Sequence, residues 1–397
     1  MESLRELYRI GPGPSSSHSL GVRNGCKYYM NKYPDYEKYR VELYGSLALT
    51  GKGHMTDKVI ENFFGRDKVE ILWKHEDREH PNTMVITSLK DGKWINEETI
   101  YSVGGGKIEV KGVSDLVDPD VFPHDHLREI IRYCDKENID LADYAFRFDV
   151  GIEEYLLTVL RQMLDVVERG LEGTGYLPGK LHLQKVAKEI YEQSLSVEDP
   201  TVRQKLEITA YAYGAMEESS SGHTVVTAPT LGSSGVVCSL VNYYYHHGIS
   251  EERLVRGLAV AGLIGNVVKT NATISGAAGG CQAEIGTACA MGCGLASYIE
   301  GLGSNQIDYA AEIGIEHNLG LTCDPVGGYV QIPCIERNGV AALRCLDAMN
   351  YARYIGGIRK NRVSFDMVVN VMKHTGKKIP VELRETSLGG LALEVKM

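Results

Sequence analysis

Residues 151–170, GIEEYLLTVLRQMLDVVERG, mark the point at which the pattern of this 397-residue chain changes. Their apolar residues recur at the spacing of one helix face, and charged residues fill the following turn. The apolar face consists of Leu156, Leu157, Leu160, Met163 and Leu164, and the charges are Glu168 and Arg169. Further helical patterns follow, including 279–298 and 339–354. We therefore expect residues 146–397 to form a nearly all-α domain.

The first 145 residues have a different pattern. Short runs rich in β-branched and aromatic residues alternate with turn residues, which is typical of strands. The predicted strands are 40–44, 69–73, 83–87 and 99–103. Helical patches interrupt them near 20–32 and 56–64. The sequence thus predicts an α+β domain over residues 1–145.

Composition excludes several classes of partner. The net charge is −10 and no basic run occurs, whereas nucleic-acid binding needs clustered Lys and Arg. The most apolar stretch, 258–268, is too short to span a bilayer and contains Asn266. Nine cysteines in a chain with no secretory pattern at its N-terminus fit a reducing compartment. We expect a cytoplasmic protein that binds neither nucleic acid nor membrane.

Three cysteines lie in separate, glycine- or proline-containing segments: Cys281 in GCQAE, Cys323 in LTCDP and Cys334 in IPCIE. Turn residues and the extended piece 329–332 separate the last two, so we expect both on loops. Three thiolates can hold an iron-sulfur cluster and leave one iron free for substrate. Buried small hydrophobic residues are the alternative, because the spacing matches neither common ferredoxin pattern. The residues alone leave both interpretations open.

Longer motifs favour the cluster. The chain contains IGPGPSSSHS at 10–19, YGSLALTGKGH at 44–54, VVTAPT at 225–230, EIGIEHNLGLTCDPV at 312–326 and ETSLGGLA at 385–392. In these motifs it resembles the bacterial iron-sulfur L-serine dehydratases. The resemblance implies that Cys281, Cys323 and Cys334 bind a [4Fe-4S] cluster. It further implies conversion of serine to pyruvate and ammonia without pyridoxal phosphate.

The resemblance also bears on architecture and assembly. It implies that the first domain is similar to the substrate-sensing module of some phosphoglycerate dehydrogenases. It implies a homodimer whose small-molecule partner is an amino acid.

The remaining cysteines are predicted to be packing residues. Cys289 and Cys293 follow Cys281 at helical positions and would share one face of a continuous helix. The family places only Cys281 on iron, and the small neighbours of the other two indicate close helix packing. The same interpretation applies to Cys26, Cys134, Cys238 and Cys345.

Two histidines are candidates for the base that removes the Cα proton. His54 ends a glycine-rich loop and is the first choice, and His18, after three serines, is the second. Hydroxyl-rich segments are predicted to bind the substrate, although a helix cap or a self-satisfied loop is the alternative. The predicted substrate-binding residues are Ser15, Ser16, Ser17, Ser19, Thr227, Thr230, Lys269 and Asn271.

Two departures from the family pattern qualify these expectations. Residues 219–223 read SSSGH where family members commonly carry NAAGG, which leaves open a related lyase acting on another β-hydroxy or β-thiol amino acid. Met397 stands about where many members have a cysteine, and a thioether is a weaker iron ligand. A non-enzymatic amino-acid sensor with a structural cluster is the other alternative.

Overall fold

The N-terminal part of the molecule is built on one mixed β-sheet. The computed structural model describes residues 1–76, 78–113 and 119–395. The sheet has the strand order β3-β2-β4-β5-β6, in which β2 and β3 are parallel and the other pairs are antiparallel. Its strands are β2 Lys38–Tyr44, β3 Val69–Lys74, β4 Thr83–Lys90, β5 Lys93–Gly104 and β6 Lys107–Val110, and a short β1, Ile10–Pro12, precedes them.

Three helices accompany the sheet: α1 Gly21–Lys32, α2 Ser46–Thr50 and α3 Thr56–Phe64. Strand β2 alternates buried and partly exposed residues, and Val41 and Leu43 enter a core shared with Ile60. Gly25 lets α1 approach the sheet, because a Cβ there would lie 1.8 Å from Met84 Cε. This arrangement confirms the α+β prediction for the N-terminal part.

Helices form most of the rest of the chain. They are α4 Leu127–Glu137, α5 Leu141–Phe148, α6 Ile152–Glu172, α7 Ala187–Ser196, α8 Pro200–Ser220, α9 Ser234–His246, α10 Glu251–Asn271, α11 Gly276–Gly279, α12 Thr287–Ile299, α13 Ser304–Glu316, α14 Cys334–Tyr354, α15 Phe365–Lys378 and α16 Leu391–Glu394. The largest core lies among them, and α10 and α12 are buried almost throughout. None of the helices in the described ranges is both long and apolar enough to cross a membrane. The prediction of a mostly helical second part is confirmed.

The two parts are joined by the start of the chain. Strand β1 pairs antiparallel with β7, Thr224–Val226, in the helical part. Leu4, Leu7 and Tyr8 belong to the helical core, as do buried residues of α4 and α5. The loop that follows β1 is therefore fixed against the helices. The division into domains at residue 145 stays a prediction.

Two local predictions about the cysteine segments were wrong. The predicted helix 279–298 is interrupted: α11 ends at Gly279, Gly280 has a φ of +73°, and a π-helical turn precedes α12. A glycine accepts this left-handed backbone at little cost, which a count of helical spacing does not detect. Cys334 begins α14 instead of lying on a loop. The polar residues at 336–338 interrupt the apolar pattern in the first turns of that helix, so the pattern does not indicate its start.

Candidate functional site

The three predicted cluster ligands come from three different local structures. Cys281 lies at the break between α11 and α12. Cys323 is in an extended segment, where its N–H donates to the Leu383 carbonyl and its carbonyl accepts from the Glu385 N–H. Cys334 is the first residue of α14. Separate backbone segments thus hold the three thiols.

Cys281 and Cys323 are buried and Cys334 is partly buried. The neighbouring Cys323 lowers the pKa of the Cys281 thiol, and the proximity of Cys281 raises the pKa of Cys323. Burial, and then the negative charge of Cys281, raises the pKa of Cys334. The three sulfurs are not all within 4.8 Å of one another, in contrast to those of Cys289, Cys293 and Cys345.

A buried carboxyl group borders the cysteines. Glu284 Oε1 accepts a 2.7 Å hydrogen bond from Thr230 Oγ1, and its Oε2 lies 3.9 Å from Cys323 Sγ. Burial raises the pKa of Glu284. Gly276 is required beside it, because a Cβ there would lie 2.6 Å from Glu284 Oε2 and 3.3 Å from Cys323 Sγ. Thr230 therefore reaches the cysteine site through Glu284.

A second group of cysteines lies in the helical core. The sulfurs of Cys289, Cys293 and Cys345 are all within 4.8 Å of one another, and Cys289 and Cys345 are 4.0 Å apart. The Cys345 thiol donates to the Ala341 carbonyl at 3.1 Å, and a Cβ at Gly314 would lie 3.0 Å from Cys293 Sγ. Such contacts suit thiols between closely packed helices, although three thiols so close can also bind metal. Their role as packing residues stays a prediction.

His18 and His54 form a buried, stacked pair with ring centroids 4.2 Å apart. His54 Nδ1 lies 2.9 Å from the Thr50 carbonyl, and His18 Nε2 lies 3.1 Å from the Ser46 carbonyl. A carbonyl only accepts, so the proton is assigned to these two nitrogens. His54 Nε2 is then unprotonated and able to accept a proton. His18 Nδ1 is unprotonated as well, but it lies 3.3 Å from Ser15 Oγ, which can donate to it.

Both imidazoles are held neutral. Burial lowers the pKa of His54 to about 4. Burial, and then the charge of His54, lowers the pKa of His18 well below its usual range. A neutral imidazole is the form that can act as a base.

Glu385 connects the histidine pair to the cysteines, and the sequence reasoning missed it. Its Oε1 lies 3.6 Å from His18 Nδ1 and 4.0 Å from His54 Nε2. Its N–H donates to the Cys323 carbonyl at 2.7 Å, and its carbonyl accepts from Ser46 Oγ at 2.8 Å. Burial, and then the charge of Glu284, raises the pKa of Glu385. The ETSLGGLA motif contained this signal, as an acidic residue in an otherwise uncharged string.

The predicted serines line the same region, but as buried groups with partners. Ser15 Oγ accepts a hydrogen bond from the backbone N–H of His18 at 3.2 Å, and Ser19 Oγ donates to the backbone carbonyl of His54 at 3.0 Å. Ser16 Oγ accepts from the Leu231 N–H. The hydroxyl of Ser102 donates to the carbonyl of Ser17, whose side chain is buried. These bonds hold the loop against the histidines, and substrate binding by the serines stays a prediction.

Three other predicted substrate residues are engaged elsewhere. Thr227 Oγ1 accepts from the Arg9 N–H and donates to the Leu7 carbonyl. Lys269 Nζ lies 2.7 Å from Glu2 Oε2 and donates to the Glu6 carbonyl. Asn271 donates to the carbonyls of Asp125 and Val267. None of these contacts joins the histidines or the ligand cysteines, and the substrate roles of Thr227, Lys269 and Asn271 stay predictions.

The atypical segment 219–223 borders the serine loop. A Cβ at Gly13 would lie 2.0 Å from the Ser219 carbonyl oxygen, so the two backbones are in close contact. Ser220 Oγ donates to the Val330 carbonyl, four residues before Cys334. Ser219 Oγ is buried without a hydrogen-bond partner among the described residues. The segment therefore contacts the serine loop on one side and the residues just before Cys334 on the other.

Comparison with known proteins covers nearly the whole chain. The model of the serine dehydratase beta chain matches residues 3–71, and that of the serine dehydratase alpha chain matches residues 70–392. L-serine dehydratase of Streptomyces coelicolor is 36% identical over a gapped alignment of 451 positions, which covers 99% of each chain. L-serine dehydratase 2 of Escherichia coli (strain K12) is 34% identical, covering 100% of this chain and 99% of the relative. The similarity thus includes every segment of the site.

Proposed function

Because this chain belongs to the serine dehydratase family, with the beta- and alpha-chain regions in one polypeptide, we propose that it converts L-serine to pyruvate and ammonia. The two regions meet at the site that combines the histidine pair with the three cysteines. The observation that carries the proposal is the position of Glu385, which bonds to Cys323 through its backbone and borders His18 and His54 through its side chain.

In this proposal Cys281, Cys323 and Cys334 hold a [4Fe-4S] cluster. Two buried thiols and one partly buried thiol from separate segments, one of them with a lowered pKa, support that assignment. When bound, the cluster supplies a Lewis acid for the departing β-hydroxyl group, so no pyridoxal phosphate is required. The chain's own residues bind the substrate and move its protons.

The proton chemistry is assigned to His54. Its Nδ1–H is fixed by the Thr50 carbonyl, which leaves Nε2 to accept the Cα proton as water is eliminated. His18 stacks on this ring and restricts its orientation. The resulting enamine tautomerises to an imine, and water then hydrolyses the imine to pyruvate and ammonia.

The direct test is anaerobic preparation of the full chain, followed by iron and sulfide analysis and an assay of serine conversion to pyruvate. We expect about four irons and four sulfides per chain, the stoichiometry of a [4Fe-4S] cluster. Pyruvate and ammonia should form in equal amounts. A preparation with a complete cluster and no serine turnover would contradict the proposal and favour the sensor.

The atypical segment supports a second candidate, a lyase for another β-hydroxy or β-thiol amino acid. Ser219 has a short side chain beside the serine loop, and its hydroxyl has no hydrogen-bond partner within the described part of the chain. Assays of serine, threonine and cysteine with the same preparation separate the candidates by kcat/KM. We expect serine to be preferred, and a larger kcat/KM for another amino acid would replace serine as the substrate.

The acid limb of the pH profile follows from the neutral His54. Since burial lowers its pKa to about 4, the imidazole stays able to accept a proton well below the usual pKa of histidine. We expect kcat/KM to persist as the pH falls through 6.5 and to be lost only towards pH 4. Cluster absorbance is measured at each pH so that cluster loss is counted separately. A decline centred near pH 6.5 with an intact cluster would contradict the assignment.

Further proposals concern the molecule as a whole. We propose a cytoplasmic homodimer that binds an amino acid and neither nucleic acid nor membrane. We also propose that the mixed sheet with its helices is similar to the substrate-sensing module of some phosphoglycerate dehydrogenases. Light scattering after gel filtration tests the dimer.

A further inference from the structure

Arg337 lies one turn after Cys334 on α14, and its side chain is only 18% exposed. Its Nη1 donates to the Thr322 carbonyl at 2.7 Å, and its Nη2 lies 3.4 Å from Asp324 Oδ1. Thr322 and Asp324 are the residues on either side of Cys323. One guanidinium on the helix of Cys334 therefore bonds to the segment that contains Cys323.

The rigid fork of an arginine can make several such bonds at once, whereas the single ammonium of a lysine is a point charge. Arg337 thus joins two ligand segments, the one around Cys323 and the helix that begins at Cys334.

Asp324 extends these contacts to the C-terminal segment. Its Oδ1 also accepts from Thr322 Oγ1, and its Oδ2 accepts from the Leu391 N–H at 2.9 Å. A Cβ at Gly390 would lie 2.2 Å from Asp324 Oδ2, so the backbone passes directly over this carboxylate. The partner of Arg337 is itself fixed from two sides.

We propose that Arg337 is a positioning residue for the cluster, which fixes the segment of Cys323 relative to the helix that begins at Cys334. This inference rests on the proposed function, because it assumes that Cys281, Cys323 and Cys334 hold the cluster. Residues that orient metal ligands typically contribute 10- to 100-fold to metal affinity. Loss of the guanidinium should therefore weaken cluster retention without removing any ligand.

The test compares the full chain with Arg337→Gln, Arg337→Lys and Arg344→Gln after anaerobic cluster reconstitution. Arg344 is an exposed arginine on the same helix and serves as the control. Iron release to a chelator is followed by absorbance, and the spectroscopic signature of the reduced cluster is recorded. The guanidinium borders a surface cavity of about 320 Å³, so the side chain of glutamine or lysine has room at position 337.

We expect Arg337→Gln to release iron about 10- to 100-fold faster than the unaltered chain. Arg337→Lys should fall between them because it keeps the charge and loses the fork, and Arg344→Gln should match the unaltered chain. Thermal unfolding of the cluster-free proteins is also measured, so that a general loss of stability is distinguished from weaker retention of the cluster. If Arg337→Gln does not fold, Arg337→Lys decides the question.

The inference would be overturned if either Arg337 variant that folds released iron at the rate of the unaltered chain. That result would leave the proposed function standing. Failure of the proposed function has a different signature: the unaltered chain takes up no cluster, or Cys281→Ser retains a complete one. The two failures are therefore distinguishable in the same set of proteins.

Discussion

Replacing Cys281, Cys323 or Cys334 by serine is expected to abolish the iron-sulfur chromophore and serine turnover together. A serine hydroxyl has nearly the size of a thiol but is a poor ligand for iron, which binds thiolate in such clusters. Each cysteine belongs to a different segment, so no neighbouring thiol of the same segment can replace it. Iron and sulfide content, absorbance and pyruvate formation measure the result in anaerobic preparations.

The second cysteine group provides the matched control. Cys289→Ser, Cys293→Ser and Cys345→Ser change the same atoms in a fully buried setting and should leave the cluster in place. Burying a hydroxyl among apolar helices costs about 1–3 kcal/mol, so thermal unfolding is recorded beside the iron content. If these variants lost the cluster and Cys281→Ser retained it, the cluster ligands would instead be the cysteines of the helical core.

Periodic segments could be predicted well from the sequence. The predicted helix 56–64 coincides with α3, and the predicted strand 69–73 differs from β3 by one residue. In such segments the pattern of burial and the local backbone preference agree. The break at Gly280 could not be predicted in this way, because the small residues around it are compatible with a continued helix.

The site itself depends on contacts between residues distant in sequence. Glu385 reaches Ser46 across 339 positions and cannot be placed beside it by any local pattern. Lys269 shows how a local motif leaves the partners of a residue open. It precedes the Cys281 segment and is predicted to bind substrate, and its ammonium group pairs with Glu2 at the start of the chain; the substrate role stays a prediction. Local motifs identified chemical groups, and only the fold showed which of them meet.

The cysteine ligands illustrate how these two sources of information complement each other. Spacing alone left Cys281, Cys323 and Cys334 undecided between ligands and packing residues. The fold draws the three segments together and adds Arg337, Glu284 and Glu385 around them. A buried set of thiols with one cation and two carboxyl groups is poorly suited to apolar packing, because charged groups are costly to bury without a function or a partner.

His54→Ala is expected to lower kcat for serine by about 10²- to 10⁴-fold, the usual contribution of a positioned general base. The cluster and the binding of serine should be retained, since His54 bonds to Thr50 and borders Glu385 but makes no described bond to the ligand cysteines. Turnover is measured with cluster content determined on the same samples. His246→Ala, at an exposed histidine of α9, is the control and should have no effect.

The isotope effect separates a lost base from a disturbed site. If His54 removes the Cα proton, its replacement makes that step slower than all others, so Cα-deuterated serine should react more slowly than ordinary serine by a larger ratio in His54→Ala than in the unaltered chain. A merely structural change would lower the rate and leave the ratio unaltered. Near-normal turnover in His54→Ala would assign the proton transfer elsewhere. His18→Ala would then be examined in the same way, because His18 Nδ1 is the other unprotonated nitrogen beside Glu385.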